Sequence, residues 1–187
     1  GLKVVCPSTP YDTKGLLIQS IRDNDPVIFC EHKNLYAFEG EVPEGHYTIP
    51  FGEANVIREG KSVSIVTYGL MVHRALEAAT LLAKEGIEAE IVDLRTLSPL
   101  DIATVIESVE KTGHLVCVDE ASPRCSIAAD VSAQVVQAAF GALRGPIQMV
   151  TPPHCPVPFS PALEDLYIPS AAQIVAAVKR SLGGGRH

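Results

Sequence analysis

From Ser62 onward the chain repeats one pattern: a short apolar run of strand length, then a longer amphipathic stretch of helix length. The runs are SVSIVT at 62–67, EIVDL at 90–94, HLVCVD at 114–119 and IQMV at 147–150, and the helical stretches fall at 72–84, 101–110, 127–143 and 171–182. Strands that are apolar nearly throughout need cover on both faces. Alternation with helices supplies that cover, so the pattern predicts an α/β, doubly wound, open parallel sheet. Hydrophobic residues are 47% of the chain and charged residues 20%, which gives enough apolar surface for a packed core and excludes a disordered chain.

The start of the chain reads differently. Leu2 to Cys6 is apolar enough for a buried strand, Ser8-Thr9-Pro10 supplies capping residues and a first-turn proline, and an apolar stripe through Leu16, Leu17 and Ile21 predicts a helix. That helix should stop near Asp23, ahead of Pro26, and Val27 to Cys30 forms the next strand. A lone β-α-β unit normally belongs to a larger sheet, and the chain enters directly into a strand, so a missing part is expected upstream of Gly1. Residues 31–60 carry Glu, Gly, Pro and His with scattered aromatics and no convincing period, which reads as a linker. The glycine run at 183–185 reads as a frayed end.

Several function classes can be set aside. A net charge of -7 gives no basic footprint for nucleic acid, and no apolar run reaches the length of a membrane span. Five cysteines form no CxxC pair and no zinc spacing, and three of them lie in apolar runs, which suits reduced thiols in the cytoplasm. The turn TYGLMVHRA has one glycine where a dinucleotide site wants several, so Gly69 reads as a tight strand-to-helix turn. His73 follows it at a helix start and could act as an acid or base, against the plainer reading of a surface or interface histidine. His114 and His154 have no spaced Ser, Cys or Asp partner for a nucleophilic relay.

Asp119-Glu120 ends an apolar strand, where open α/β sheets place ligand-handling residues, although such carboxylates can equally cap the next helix. Only Arg124 stands near Cys125 to activate it. At the end of the first helix, Ser20-Ile21-Arg22-Asp23-Asn24-Asp25 offers free carbonyls and two carboxylates; that suits a hard cation, and on chemistry alone a solvated turn is the plainer reading.

Four segments, GLKVVCPSTPYDTKGLLIQSIRDNDPVIFCEHKNLY, IPFGEANVIREGKSVSIVTYGLMVHRALEAA, EAEIVDLRTLSPLD and LEDLYIPSAAQIVAAVKR, resemble β subunits of thiamine-diphosphate-dependent 2-oxo acid dehydrogenases, in order and over essentially the whole chain. Within that family DEASPRCSIAAD and VTPPHCPVPFSPALEDLYIP look most like acetoin dehydrogenase; pyruvate and branched-chain relatives usually have a glycine-rich stretch in place of ASPRCSIA. The resemblance implies the end of a pyrimidine-binding domain at 1–36, a linker at 37–60 and a complete transketolase C-terminal-like domain at 61–187. It also implies thiamine diphosphate and Mg²⁺ in the intact complex, C–C cleavage, and transfer of the acetyl unit to a lipoyl group. The partners it implies are an α subunit, a second β subunit and a dihydrolipoyl acyltransferase core. The family's cofactor-activating glutamate and active-site histidine would lie upstream of Gly1, so no catalytic or cofactor-binding residue is expected here and the isolated chain should be inactive. One family site does map onto this chain: a structural K⁺ held, by position, at Ser20, Ile21, Asp23 and Asp25, the last standing where some relatives have Asn.

Two rival readings differ in class. In one the chain is an assembly module that docks the acyltransferase and does no chemistry. In the other it is an independent doubly wound domain with a ligand beyond Thr67 and Asp119.

Overall fold

The computed structural model describes residues 1–183, so the last two glycines of the 183–185 run lie outside the described residues. In chain order the elements are β1 (Lys3–Val5), α1 (Pro10–Arg22), β2 (Val27–Phe29), β3 (Asn55–Arg58), β4 (Val63–Thr67), α2 (Leu70–Ala83), β5 (Ala89–Asp93), β6 (Thr96–Ser98), α3 (Ile102–Thr112), β7 (Leu115–Val118), α4 (Ile127–Ala139), β8 (Gln148–Val150), α5 (Pro161–Tyr167) and α6 (Ala171–Leu182). Short 3-10 turns occupy Lys33–Leu35 and Phe140–Ala142.

A five-stranded sheet in the order β3-β5-β4-β7-β8 organises the larger lobe. β5, β4, β7 and β8 run parallel, as the alternating pattern predicts. The pleat divides their side chains between two cores. Val63 and Ile65 of β4 face α2 and α6, where Leu82, Ile174 and Val178 are fully buried. Val66 and, from β7, Leu115 and Cys117 face α3 and α4, against Val105, Val109, Val131 and Val135. Burial on both faces is why these strands read as largely apolar runs.

Caps set the helix boundaries. Asp101 caps α3, its side chain accepting from the Thr104 N–H at 3.1 Å, and Gly113 ends that helix in the left-handed conformation. Gly69 precedes α2 at φ 57°, a backbone that favours glycine, so the helix begins two residues before the predicted Val72. α4 gives way at Phe140 to a 3-10 turn through Gly141, short of the predicted Leu143.

The segment at 31–60 is less featureless than its composition suggests. Asn55–Arg58 forms β3, the antiparallel edge of the large sheet, in register with β5 from Asn55 opposite Asp93. Its four residues are all half-buried, so neither apolar alternation nor a continuous apolar run announces it. Gly60 carries the turn into β4 so close to the Ala89–Glu90 backbone that a Cβ there would lie 2.3 Å from the Ala89 carbonyl carbon.

At the amino-terminal end, β1 and β2 pair in parallel and α1 crosses between them. A third strand from the other lobe, β6, pairs antiparallel with β1, so the unit sits in a three-stranded sheet in the order β2-β1-β6. Thr9 caps α1 and Pro10 opens it, as its sequence signals. The apolar stripe is narrower than expected, because Leu16 is buried while Leu17 is 40% and Ile21 75% exposed. The contact face of α1 runs through Asp12, Gly15 and Leu16 instead, and Gly15 lets Ile49 and Tyr47 press directly onto the helix.

Candidate functional site

Strands β1, β4, β5 and β7 deliver their carboxyl ends to the seam between the lobes, and each ends in or near a polar residue. Asp93 closes β5 with its carboxyl fully buried. It accepts hydrogen bonds there from the Ser8 hydroxyl and, at 3.0 Å, from the Arg95 N–H. Burial pushes this carboxyl up to about 7, opposed by the two hydrogen bonds and reinforced by the neighbouring Asp12 charge.

Arg95 stands two residues beyond β5 at φ 57°, a conformation costly for a side chain with a Cβ. That turn sends its guanidinium to Asp12 of α1, with Nη2 2.7 Å from Oδ1 and only 3% of the Asp12 side chain exposed. Neither that carboxylate oxygen nor Arg95 Nε has an aligned hydrogen-bond partner, so the attraction is mainly between charges. Thr9 completes the corner by donating to the other Asp12 oxygen at 2.6 Å.

On the far side of the seam, Asp119 accepts from the Tyr68 hydroxyl at 2.6 Å, the Ala121 N–H at 2.8 Å and the Ala128 N–H at 3.2 Å. This is the helix-organising role, since the last bond reaches the first turn of α4. Burial foremost, then the Asp119 charge, raises Tyr68 far above the ordinary phenol range, so it stays a donor. Glu120 pairs with His32 across the seam at 3.1 Å; burial raises its carboxyl and the histidine partly offsets that.

His73 bridges the lobes. Its Nε2 donates to the Ser8 carbonyl at 2.8 Å and its ring packs on Phe38 with centroids 4.3 Å apart, which is the interface reading of this residue. His114 lies away from the seam, with Nδ1 3.3 Å from the Ser181 hydroxyl, and burial lowers its pKa. Cys125 and His154 are exposed.

The positions expected to hold a cation lie on the other side of α1. Asp23 Oδ1 and Asp25 Oδ2 converge on Lys3 Nζ at 2.6 and 2.9 Å. Asp23 also caps the helix and accepts the Asp25 N–H at 2.8 Å. The Lys3 hydrogen bond holds the Asp23 carboxyl below its usual range, and the two aspartates raise Lys3. The Ser20 hydroxyl turns back to the Leu16 carbonyl at 2.7 Å, and the Ile21 side chain faces water. The two carboxylates therefore meet one positive charge, which here is internal.

The seam network around Asp93 is what sequence reasoning passed over. Its signal was available, because EIVD ends a strand in a carboxylate just as HLVCVD does. A further ~410 Å³ cleft opens between α1 and the segment at 31–38, lined by Pro10, Leu17, Ile18, Leu35, Tyr36 and Phe38 among others. Among the described residues, no cluster of three or more His, Cys, Asp or Glu side chains could hold a metal, and no helix is long and apolar enough to cross a membrane. Asp12, Asp93, Asp119 and Glu120 are each engaged by internal donors. That is a poor fit to a diphosphate-bound divalent ion or to an aminopyrimidine needing a free carboxylate.

Comparison with known proteins agrees with this architecture. Residues 52–174 match the model of the transketolase C-terminal domain, and residues 1–39 match that of the transketolase pyrimidine-binding domain. Over its whole length the chain is 80% identical to the acetoin:2,6-dichlorophenolindophenol oxidoreductase subunit beta of Cupriavidus necator, covering 55% of that protein. It is 52% identical to the pyruvate dehydrogenase E1 component subunit beta of Bacillus subtilis, over 97% of the chain and 56% of the relative. The chain thus spans little more than half the length of these relatives. A solved split-gene transketolase, described as an inactive beta4 tetramer, superposes with a TM-score of 0.80 at 28% identity, over 99% of this chain and 58% of that one. The chain belongs to the transketolase C-terminal domain family, preceded by a short piece of the pyrimidine-binding domain.

Proposed function

We propose that this polypeptide serves as the carboxyl-terminal region of the β subunit of a thiamine-diphosphate-dependent dehydrogenase that oxidatively cleaves acetoin and passes the acetyl unit to a lipoyl group. The observation that carries the reading is the 80% identity, over all 187 residues, to a subunit named for acetoin oxidoreduction, against 52% to one named for pyruvate dehydrogenase. In this reading residues 1–36 end the pyrimidine-binding domain and 61–187 form the second domain, with 37–60 as a linker whose last part, β3, is built into the second domain's sheet. Thiamine diphosphate and Mg²⁺ act in the intact, cytoplasmic complex and are not held by this chain, whose seam carboxylates are already engaged internally. The chain's own work is assembly with an α subunit, a second β subunit and the acyltransferase core.

A chimera tests whether this region works within an acetoin-cleaving enzyme. Residues 1–187 replace the matching region of the Cupriavidus necator subunit, and the product is assayed with its α subunit on acetoin and on pyruvate. Retained preference for acetoin supports the reading; a switch to pyruvate overturns it. Binding to α subunit and acyltransferase by a chain that never supports turnover in the chimera favours the assembly-module reading.

The same proposal includes a monovalent cation, K⁺, at Ser20, Ile21, Asp23 and Asp25. Lys3 already neutralises the two carboxylates, so the ion must displace or share them. The expected result is a higher melting temperature in potassium chloride than in tetramethylammonium chloride of equal ionic strength. Equal values would count against the site.

A further inference from the structure

Two of the five cysteines stand side by side. Val5 and Phe29 are register partners on the parallel strands β1 and β2, and the Cys30 N–H donates to the Val5 carbonyl at 2.8 Å, so the next pair along the ladder is Cys6 and Cys30. Register partners on parallel strands present their side chains to the same face. Neighbouring strands lie roughly 4.8 Å apart, inside the ~4.4–6.8 Å range of Cα separations that disulfides span. The two thiols do interact: burial is the main reason the Cys6 thiol titrates high, and the Cys30 thiol beside it adds to the effect. Both are free, Cys6 buried and Cys30 exposed, which gives one sulfur that a solvent oxidant can reach and, beside it, one shielded from solvent. The remaining three lack such a neighbour by position: Cys117 is buried against Ser132, while Cys125 and Cys155 lie on separate loops of the other lobe.

We propose that Cys6 and Cys30 form a reversible disulfide when the protein meets a hydroperoxide, Cys30 being the residue attacked and Cys6 the one that resolves it. The Cys30 thiolate attacks one peroxide oxygen, the O–O bond breaks, and hydroxide leaves with the electron pair to become water, giving a sulfenic acid at Cys30. The Cys6 sulfur then attacks that sulfenic sulfur, its proton goes to the departing hydroxyl, and a second water leaves as the S–S bond forms. Two thiols lose two electrons in all and one peroxide becomes two waters. A dithiol reductant reverses the bond. The link would tie the carboxyl ends of β1 and β2 together two residues before Ser8, whose contacts with Asp93 and His73 hold the seam.

The test uses the full chain and hydrogen peroxide. After brief treatment, the remaining thiols are alkylated under denaturing conditions and the protein is digested with trypsin without reduction. Cys6 and Cys30 fall in separate peptides, 4–14 and 23–33. The expected product is those two peptides joined, released by dithiothreitol, and absent from Cys30→Ser. In Cys6→Ala the sulfenic acid at Cys30 should persist and be trapped by dimedone. Full alkylation of Cys6 while Cys30 is oxidised to sulfinic acid, or coupling of Cys30 to Cys125 or Cys155 instead, would overturn the proposal. Should Cys6→Ala fail to fold, the wild-type peptide map and Cys30→Ser decide the matter between them.

Discussion

Asp93 is wholly removed from water, and burial pushes its carboxyl up to about 7 in the native protein. The unfolded chain has the ordinary value of about 3.9. Because the folded value is the higher one, the native state holds the proton more tightly, and the stabilising contribution is complete below about pH 4. It is lost as the pH climbs towards 7 and changes little above that, with a slope of at most about 1.4 kcal/mol per unit. Asp93→Asn keeps a neutral acceptor for Ser8 and removes the titration. The gap in urea midpoint between Asp93→Asn and wild type should therefore widen in favour of the variant from pH 4.5 to 7.5; a constant gap would contradict the assignment. Asp12 is held in an ion pair with Arg95. Removing one partner of a buried pair strands the other, so Asp12→Asn should cost about 3 kcal/mol, while Asp12→Asn combined with Arg95→Met should recover part of it. A double variant whose loss equals the sum of the two single losses would show that the pair does not act as a unit. Asp119 was legible from its place at a strand end, and Asp93 obeys the same rule. What could not be read was the partner set, since Ser8 and Asp93 are 85 residues apart in the chain and only folding brings them together.

Among the elements, those buried on two faces were the ones the sequence pattern exposed most clearly. β4, β5 and β7 read as strands because every residue in them is covered and most are apolar. β3 and β6 did not, because each is a short edge or bridging strand whose half-buried positions carry no period, and their existence depends on pairing with β5 and β1. α5 hides in the Pro-rich stretch that follows β8 for a similar reason: it has seven residues and no buried side chain, so no apolar face marks it. The β3–β4 turn makes a sharp demand on sequence. A methyl at Gly60 would collide with the Ala89–Glu90 backbone, which cannot swing aside as a side-chain tip can. Gly60→Ala should cost about 1–3 kcal/mol or more in chemical denaturation. A neutral result would mean that the turn into β4 sits further from β5 than described.

Over the whole molecule, two lobes share one strand and one polar seam. β6 leaves the large sheet's chain path to pair with β1, and His73, Arg95 and Glu120 reach across to Ser8, Asp12 and His32. The family was legible because long segments kept their order across the chain, and the family models match both the short first piece and the larger second one. The cation site was legible only as a cluster of residue types; that Lys3 would lie between the two aspartates depends on how β1 packs beside the end of α1. Under the proposed function this chain supplies assembly surface and a rigid seam and does not activate the cofactor by itself. The direct measurement is acetoin-dependent reduction of 2,6-dichlorophenolindophenol by the isolated chain supplied with thiamine diphosphate and Mg²⁺. No turnover above the protein-free rate is expected, and clear turnover that scales with protein concentration would contradict the account.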